Sequence, residues 1–77
     1  MRVTNIGSNI TEVQTDIAVV LVSYSTPVAA HITGIGYIKT EQYYSKTTSA
    51  HISKWLKSQG ARNCATVSQS TLDNLIP

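Results

Sequence analysis

"IAVVLVSYSTPVAAHI", residues 17–32, decides the fold. Its first part, "IAVVLVSY" at 17–24, is short, rich in β-branched residues and apolar on both faces. A run this short, with no polar alternation, reads as a strand placed centrally in a sheet. It is also far too short to span a bilayer. Tyr24 closes the run, and Pro27 breaks the pattern three residues later. Proline lacks the N–H that a ladder needs, so it marks a strand start or an edge. "VAAHI" at 28–32 then resumes as a strand.

On the N-terminal side, "RVTNI" at 2–6 alternates weakly and reads as a short strand, and "GSN" at 7–9 as a turn. "ITEVQ" at 10–14 alternates apolar and polar residues, the pattern of a half-buried strand. Thr15 and Asp16 form a tight connection to the central run. On the C-terminal side, "TGIG" at 33–36 is a hairpin turn, and "YIKTEQYY" at 37–44 is its return strand.

Ile52, Trp55 and Leu56 fall at helical spacing and make one apolar stripe, with Lys54 and Lys57 opposite. Gly60 ends that helix. "NCATV" at 63–67 is a candidate last strand. "STLD" at 70–73 resembles a capping box, with Ser70 as N-cap and Asp73 reaching back. The short helix behind it carries Leu72, Leu75 and Ile76 onto the core. Strands grouped before helices predict an α+β domain. The expectation is a small antiparallel sheet of three to five strands, one main helix at about 48–58 packed on one face, and a short C-terminal helix.

Seventy-seven residues make a single domain, 1–77. A core this small is commonly supported by a disulfide, a metal or a second subunit. Cys64 is the only cysteine, so no intrachain disulfide forms, and His31 and His51 are the only histidines. No metal or other cofactor is expected, and a homo-oligomer is. The lone cysteine and the polar, glycine-broken start point to a soluble protein of the cytoplasm, with no membrane association. The net charge is +2. Lys39, Lys46, Lys54, Lys57 and Arg62 lie between 39 and 62, opposed there only by Glu41. This basic stretch favours an anionic ligand or a solvated helix face.

"YYSKTTSAHI" at 43–52 concentrates hydroxyls, a lysine and a histidine where the main helix begins. Thr47, Thr48 or Ser49 can supply the N-cap oxygen, and only one is needed. The other free amides, with the positive end of the helix dipole, suit an anion. The candidate ligand-binding residues are therefore Tyr44, Lys46, Thr47, Thr48, Ser49 and His51. The bland alternative is a cap, with His51 packed on Trp55 and Tyr43 or Tyr44 in the core. No Gly-rich phosphate loop is present. Ser45, Ser49, His31, His51, Asp16 and Asp73 show no spacing that selects a catalytic triad. No enzyme is expected, and Cys64 reads as a small hydrophobe.

"SYSTPVA" at 23–29 and "YSKTTSAHI" at 44–52 resemble the S-Y-x-T-P-[VI]-A and Y-S-x-T-T-S-x-H-[IV] patterns of short bacteriophage and mobile-element proteins of unknown function. The matching positions are Ser23, Tyr24, Thr26, Pro27, Val28 and Ala29, then Tyr44, Ser45, Thr47, Thr48, Ser49, His51 and Ile52. The likeness covers roughly residues 17–57 and implies an origin, not an activity. With it, the expected function is a small, non-enzymatic, oligomeric protein that binds an anionic small molecule such as a nucleotide, which would serve a phage by sequestering a host immune signal. The alternatives are a nucleic-acid-binding protein, or an inhibitor of a host protein by direct contact.

Overall fold

A computed structural model describes residues 1–76. Six strands form one sheet in the order of the chain: β1 (Arg2–Gly7), β2 (Ile10–Gln14), β3 (Ala18–Ser23), β4 (Thr26–Ile32), β5 (Gly36–Thr40) and β6 (Cys64–Val67). The first five pair antiparallel as a meander. Helix α1 (Lys46–Ser58) then carries the chain back, so β6 runs parallel to β5. A parallel neighbour needs such a crossover, since a tight turn only reverses direction. Helix α2 (Gln69–Asp73) is the last element among the described residues.

The expectation of three to five antiparallel strands under one helix is therefore overturned. The sheet has six strands, it is mixed, and a helix lies on each face. Val13, Val20, Ala30 and Ile38 are neighbours across successive strands. With Ala18 they form one buried cluster, closed by Leu72 of α2 and flanked by Leu75 and Ile76. Leu21, Ala29 and the bulged Val28 point the other way and pack on Trp55 of α1, with Ile52 and Leu56 beside it. Strand β3 contributes to both clusters, because its alternating side chains are apolar in each direction.

Local chemistry sets the element ends. Return strand β5 stops at Thr40 rather than 44, where the Thr40 hydroxyl accepts the Gln42 N–H and the Glu41 N–H goes to the Val67 carbonyl of β6. Tyr43 and Tyr44 thus lie outside the sheet, and both are exposed. Helix α1 begins at Lys46, before the expected 48. It ends in a Schellman arrangement: the Ala61 N–H bonds the Leu56 carbonyl and the Gly60 N–H the Lys57 carbonyl. Gly60 supplies the positive φ, +71°, that this requires. The capping box at 70–73 is not formed. Ser68 precedes α2, and Asp73 instead accepts a hydrogen bond from the Gln69 side-chain amide, which also donates to the Pro27 carbonyl of β4.

Leu72 is fully buried and is the largest side chain that α2 inserts. Leu72→Ala is expected to cost about 2–5 kcal/mol, from lost transfer energy and a cavity. Urea denaturation checks this. A cost near zero would mean that α2 does not close its face of the sheet.

Candidate functional site

The hydroxyl-rich stretch divides its work. Ser45, with extended backbone, is the N-cap of α1, and its Oγ accepts the Thr48 N–H at 3.1 Å. None of Thr47, Thr48 and Ser49 is the cap. Thr48 instead turns inward and is buried. Its Oγ1 lies 3.1 Å from Ser23 Oγ, which lies 2.8 Å from His51 Nδ1. Ser23 ends β3 and is 2 % exposed. Threonine, serine and histidine thus form a hydrogen-bonded chain that ties the first turn of α1 to the sheet. Buried hydroxyls demand such partners. Ser23 comes from "SYSTPVA", and Thr48 and His51 come from "YSKTTSAHI". These two stretches, separate in the sequence, meet here in space.

The other expected ligand residues are spread apart. Tyr44, Lys46 and Thr47 are exposed. Ser49, also exposed, borders a shallow hollow with Lys39, Glu41, Tyr43 and Ser53. His51 faces a different space. A groove of about 560 Å³ runs between α1 and the β1–β2 hairpin. His51, Lys54, Trp55 and Ser58 form its helical wall; Ile6, Ile10 and Glu12 form the hairpin wall. The spacing of 51, 54, 55 and 58 places these side chains on one side of α1. With His51 Nδ1 held by Ser23, Nε2 is the nitrogen left for a ligand.

Reading the sequence missed Glu12 and Trp55 as groove-lining residues and had Lys54 only as one of the basic stretch. Trp55 looks like a core residue and is one, being 4 % exposed with Tyr37 edge-on at 5.9 Å. Its indole Nε1–H nevertheless needs a partner. It donates to Glu12 Oε2 at 2.7 Å, a charge-assisted bond between α1 and β2. The usable signal was the need itself: one buried tryptophan and few carboxylates.

Tyr24, in the β3–β4 turn, takes a positive φ of 58° that tyrosine rarely adopts. Its N–H bonds the Asn9 carbonyl, and its exposed ring stands 6.1 Å from the His51 ring. The two hairpin tips and the start of α1 thus gather at one end of the sheet.

Among the described residues, no three His, Cys, Asp or Glu side chains come together to hold a metal. No helix among them is long and apolar enough to cross a membrane. Although Ser23 and His51 resemble a nucleophile with its base, the serine is closed to solvent and shares its hydroxyl with Thr48. Cys64 is partly buried on β6, and that desolvation pushes its thiol above the ordinary range, with Lys39 pulling weakly the other way.

Ser23→Ala strands Thr48 Oγ1 and His51 Nδ1, with an expected loss of about 1–3 kcal/mol in chemical denaturation; an unchanged midpoint would remove the chain's structural role. Because the raised Cys64 pKa disfavours thiolate in the folded state, the folded chain should react with iodoacetamide more slowly than the urea-unfolded chain. The same sign means that Cys64 withdraws stability only as pH rises past the thiol's unfolded value. Faster labelling of the folded state would reverse the assignment.

No curated protein and no solved structure matches this chain. A family model does, over residues 1–74, nearly the whole chain. The chain therefore belongs to DUF8033, a family of unknown function.

Proposed function

We propose that this protein is a non-enzymatic small-molecule-binding protein whose site is the groove between α1 and the β1–β2 hairpin, and that its ligand is anionic, a nucleotide being the class that fits best. The observation that carries this reading is the lining of the groove. Ile6, Ile10 and Trp55 supply an apolar wall, while Lys54, His51 and Glu12 supply polar groups on it. Small-molecule sites commonly occupy roughly 300–1,000 Å³ and pair an apolar lining with a few placed polar groups. At about 560 Å³ the groove has that capacity.

The groups divide by chemistry. Lys54 carries a positive charge for a phosphate or carboxylate, and His51 Nε2 adds a hydrogen bond. Glu12 accepts from Trp55 through Oε2. Its other oxygen can accept from a ring N–H or an exocyclic amine, as a nucleobase presents. A flat base would rest on the isoleucines. This moves the anion contact from the tip of α1 to its flank. Of the residues first expected to bind, His51 lines the groove, Ser49 borders the other hollow, and Tyr44, Lys46 and Thr47 are exposed outside the groove lining. Thr48 acts from behind, by holding Ser23 and so His51.

The hydroxyl that His51 holds, that of Ser23, is closed to solvent and shared with Thr48, which favours holding over turnover. With the phage-type origin that the resemblance implies, the role would be retention of a small signalling nucleotide.

Isothermal calorimetry against mono-, di- and cyclic nucleotides tests the reading. Heat is expected from at least one, and Lys54→Ala should weaken it about tenfold, the value of one charged contact of roughly 1.4 kcal/mol. Lys54 is exposed, so its loss should leave the melting temperature unchanged. Glu12→Gln, which keeps an acceptor for Trp55, should preserve the fold and alter the choice among bases. Folded protein that gives no heat with any nucleotide ends the proposal.

A further inference from the structure

Strand β1 is a free edge of the sheet. Its hydrogen-bonding phase is fixed by two bonds in the next ladder. The Tyr24 N–H donates to the Asn9 carbonyl at 2.7 Å, and the Thr15 N–H to the Ala18 carbonyl at 2.8 Å. Both pairs continue the β2–β3 register, which runs from Ile10↔Ser23 to Gln14↔Val19. Opposed residues in an antiparallel ladder alternate between pairs that exchange bonds and pairs that do not. Odd-numbered residues of β2 therefore bond β3. Glu12 and Gln14 bond the other way, toward Thr4 and Arg2, their partners on β1. Val3 and Asn5 are left with N–H and C=O directed out of the sheet.

Exposed edges are usually blunted by lysines, proline, a bulge or a covering segment. From Arg2 to Asn5 there is one charge and no proline, and the bulge comes only after Asn5. The side chains there are not those of a solvated edge either: Val3 is 62 % exposed and Ile6 43 %. Helix α2 packs over β4 and β5 and leaves Val3 open.

We propose that β1 pairs antiparallel with β1 of a second copy, about a twofold axis at Thr4, joining the two sheets into one. The phase allows twofold axes at Val3, Thr4 or Asn5, and only the axis at Thr4 pairs both free residues with each other, since an axis at Val3 sends Asn5 to Met1, outside the strand, and one at Asn5 sends Val3 to Gly7, across the bulge. The two residues with free groups, Val3 and Asn5, then bond Asn5 and Val3 of the second copy, and Thr4 faces Thr4 in the unbonded pair between them. The strand is thus self-complementary, as an isologous interface requires. Pairing also puts a neighbour against Val3, in a chain short enough to benefit from added burial.

The same register places Arg2 of the second copy opposite Ile6. Arg2 and Thr4 share a face with Gln14 and Glu12, their cross-strand partners. That is the face of the groove, so the second copy brings a cation to its open rim, on the side of Glu12. This last step rests on the groove reading; the strand pairing does not. An interface of six-residue strands is small against the roughly 1,200 Å² of standard complexes, so the dimer should dissociate on dilution.

Disulfide trapping tests the register. Unbonded antiparallel pairs hold their Cα atoms about 4.5 Å apart, within disulfide range. In a Cys64→Ser background, Thr4→Cys should give a disulfide-linked dimer under mild oxidation, and Val3→Cys several-fold less, because its counterpart is Asn5. Val3→Lys should shift sedimentation of the otherwise native chain to monomer at every concentration, with a melting temperature equal to that of the wild type at dilutions where the wild type is itself monomeric. A wild-type chain that sediments as a monomer at all concentrations overturns the proposal, as does Val3→Cys crosslinking as well as Thr4→Cys. Trapping is read without nucleotide, so a trapped dimer that gives no nucleotide heat keeps the pairing and loses only the groove.

Discussion

A strand that is apolar in both directions cannot border water on either side of its sheet, and Ala18–Ser23 is such a strand. Val20 and Leu21 are successive residues, point to opposite faces, and are both fully buried. The rest of the fold answers that constraint. Five antiparallel strands bring Val13, Ala30 and Ile38 alongside Val20, and Leu72 closes that face. Trp55 closes the other over Leu21 and Ala29. Burying one leucine or valine side chain contributes about 1.5–3 kcal/mol. Leaving either face open would forfeit several such terms in a chain with few to spare.

Polar groups adjust this packing. Trp55 enters the core with an N–H that has to be satisfied, and Glu12 of β2 satisfies it. Thr48 and Ser23 are buried hydroxyls that satisfy one another and hold His51. Each bond joins α1 to the sheet at a distinct place, Glu12 along one strand and Ser23 at the end of another. The helix is thereby fixed in rotation as well as position. That rotation decides which side of α1 faces the β1–β2 hairpin. His51, Lys54 and Ser58 line a groove because Trp55 and Thr48 are anchored where they are.

The hydroxyl cluster at 45–51 shows how one stretch can serve several ends. Ser45 caps, Thr48 anchors, His51 joins anchor to groove, and Ser49 stays with solvent on another side. Read along the chain, Tyr44, Lys46, Thr47, Thr48, Ser49 and His51 look like one anion site at a helix tip. Read around the helix, 45, 48 and 51 lie close to one line at three-residue intervals and 49 lies off it. Helical phase, which the expected start at 48 obscured, separates them.

By itself the sequence determined the local elements: the central strand from its β-branched run, the apolar stripe of α1 and its end at Gly60, whereas the strand expected from Val28 begins at Thr26 and takes Pro27 into its ladder. These arise from short-range patterns and backbone chemistry. The two-sided apolar character of the central strand was legible too, and taken at full weight it calls for a cover on both faces, although Ile17, just before Ala18–Ser23, stays exposed. Only tertiary structure decided that β6 returns parallel to β5, that α2 takes the face opposite α1, and that Ser23 meets Thr48 and His51. Those outcomes depend on contacts between residues 25 and 28 apart for the serine, and 43 apart for Glu12 and Trp55. No periodicity encodes a pairing at such separation; it exists only once the sheet and helix are packed.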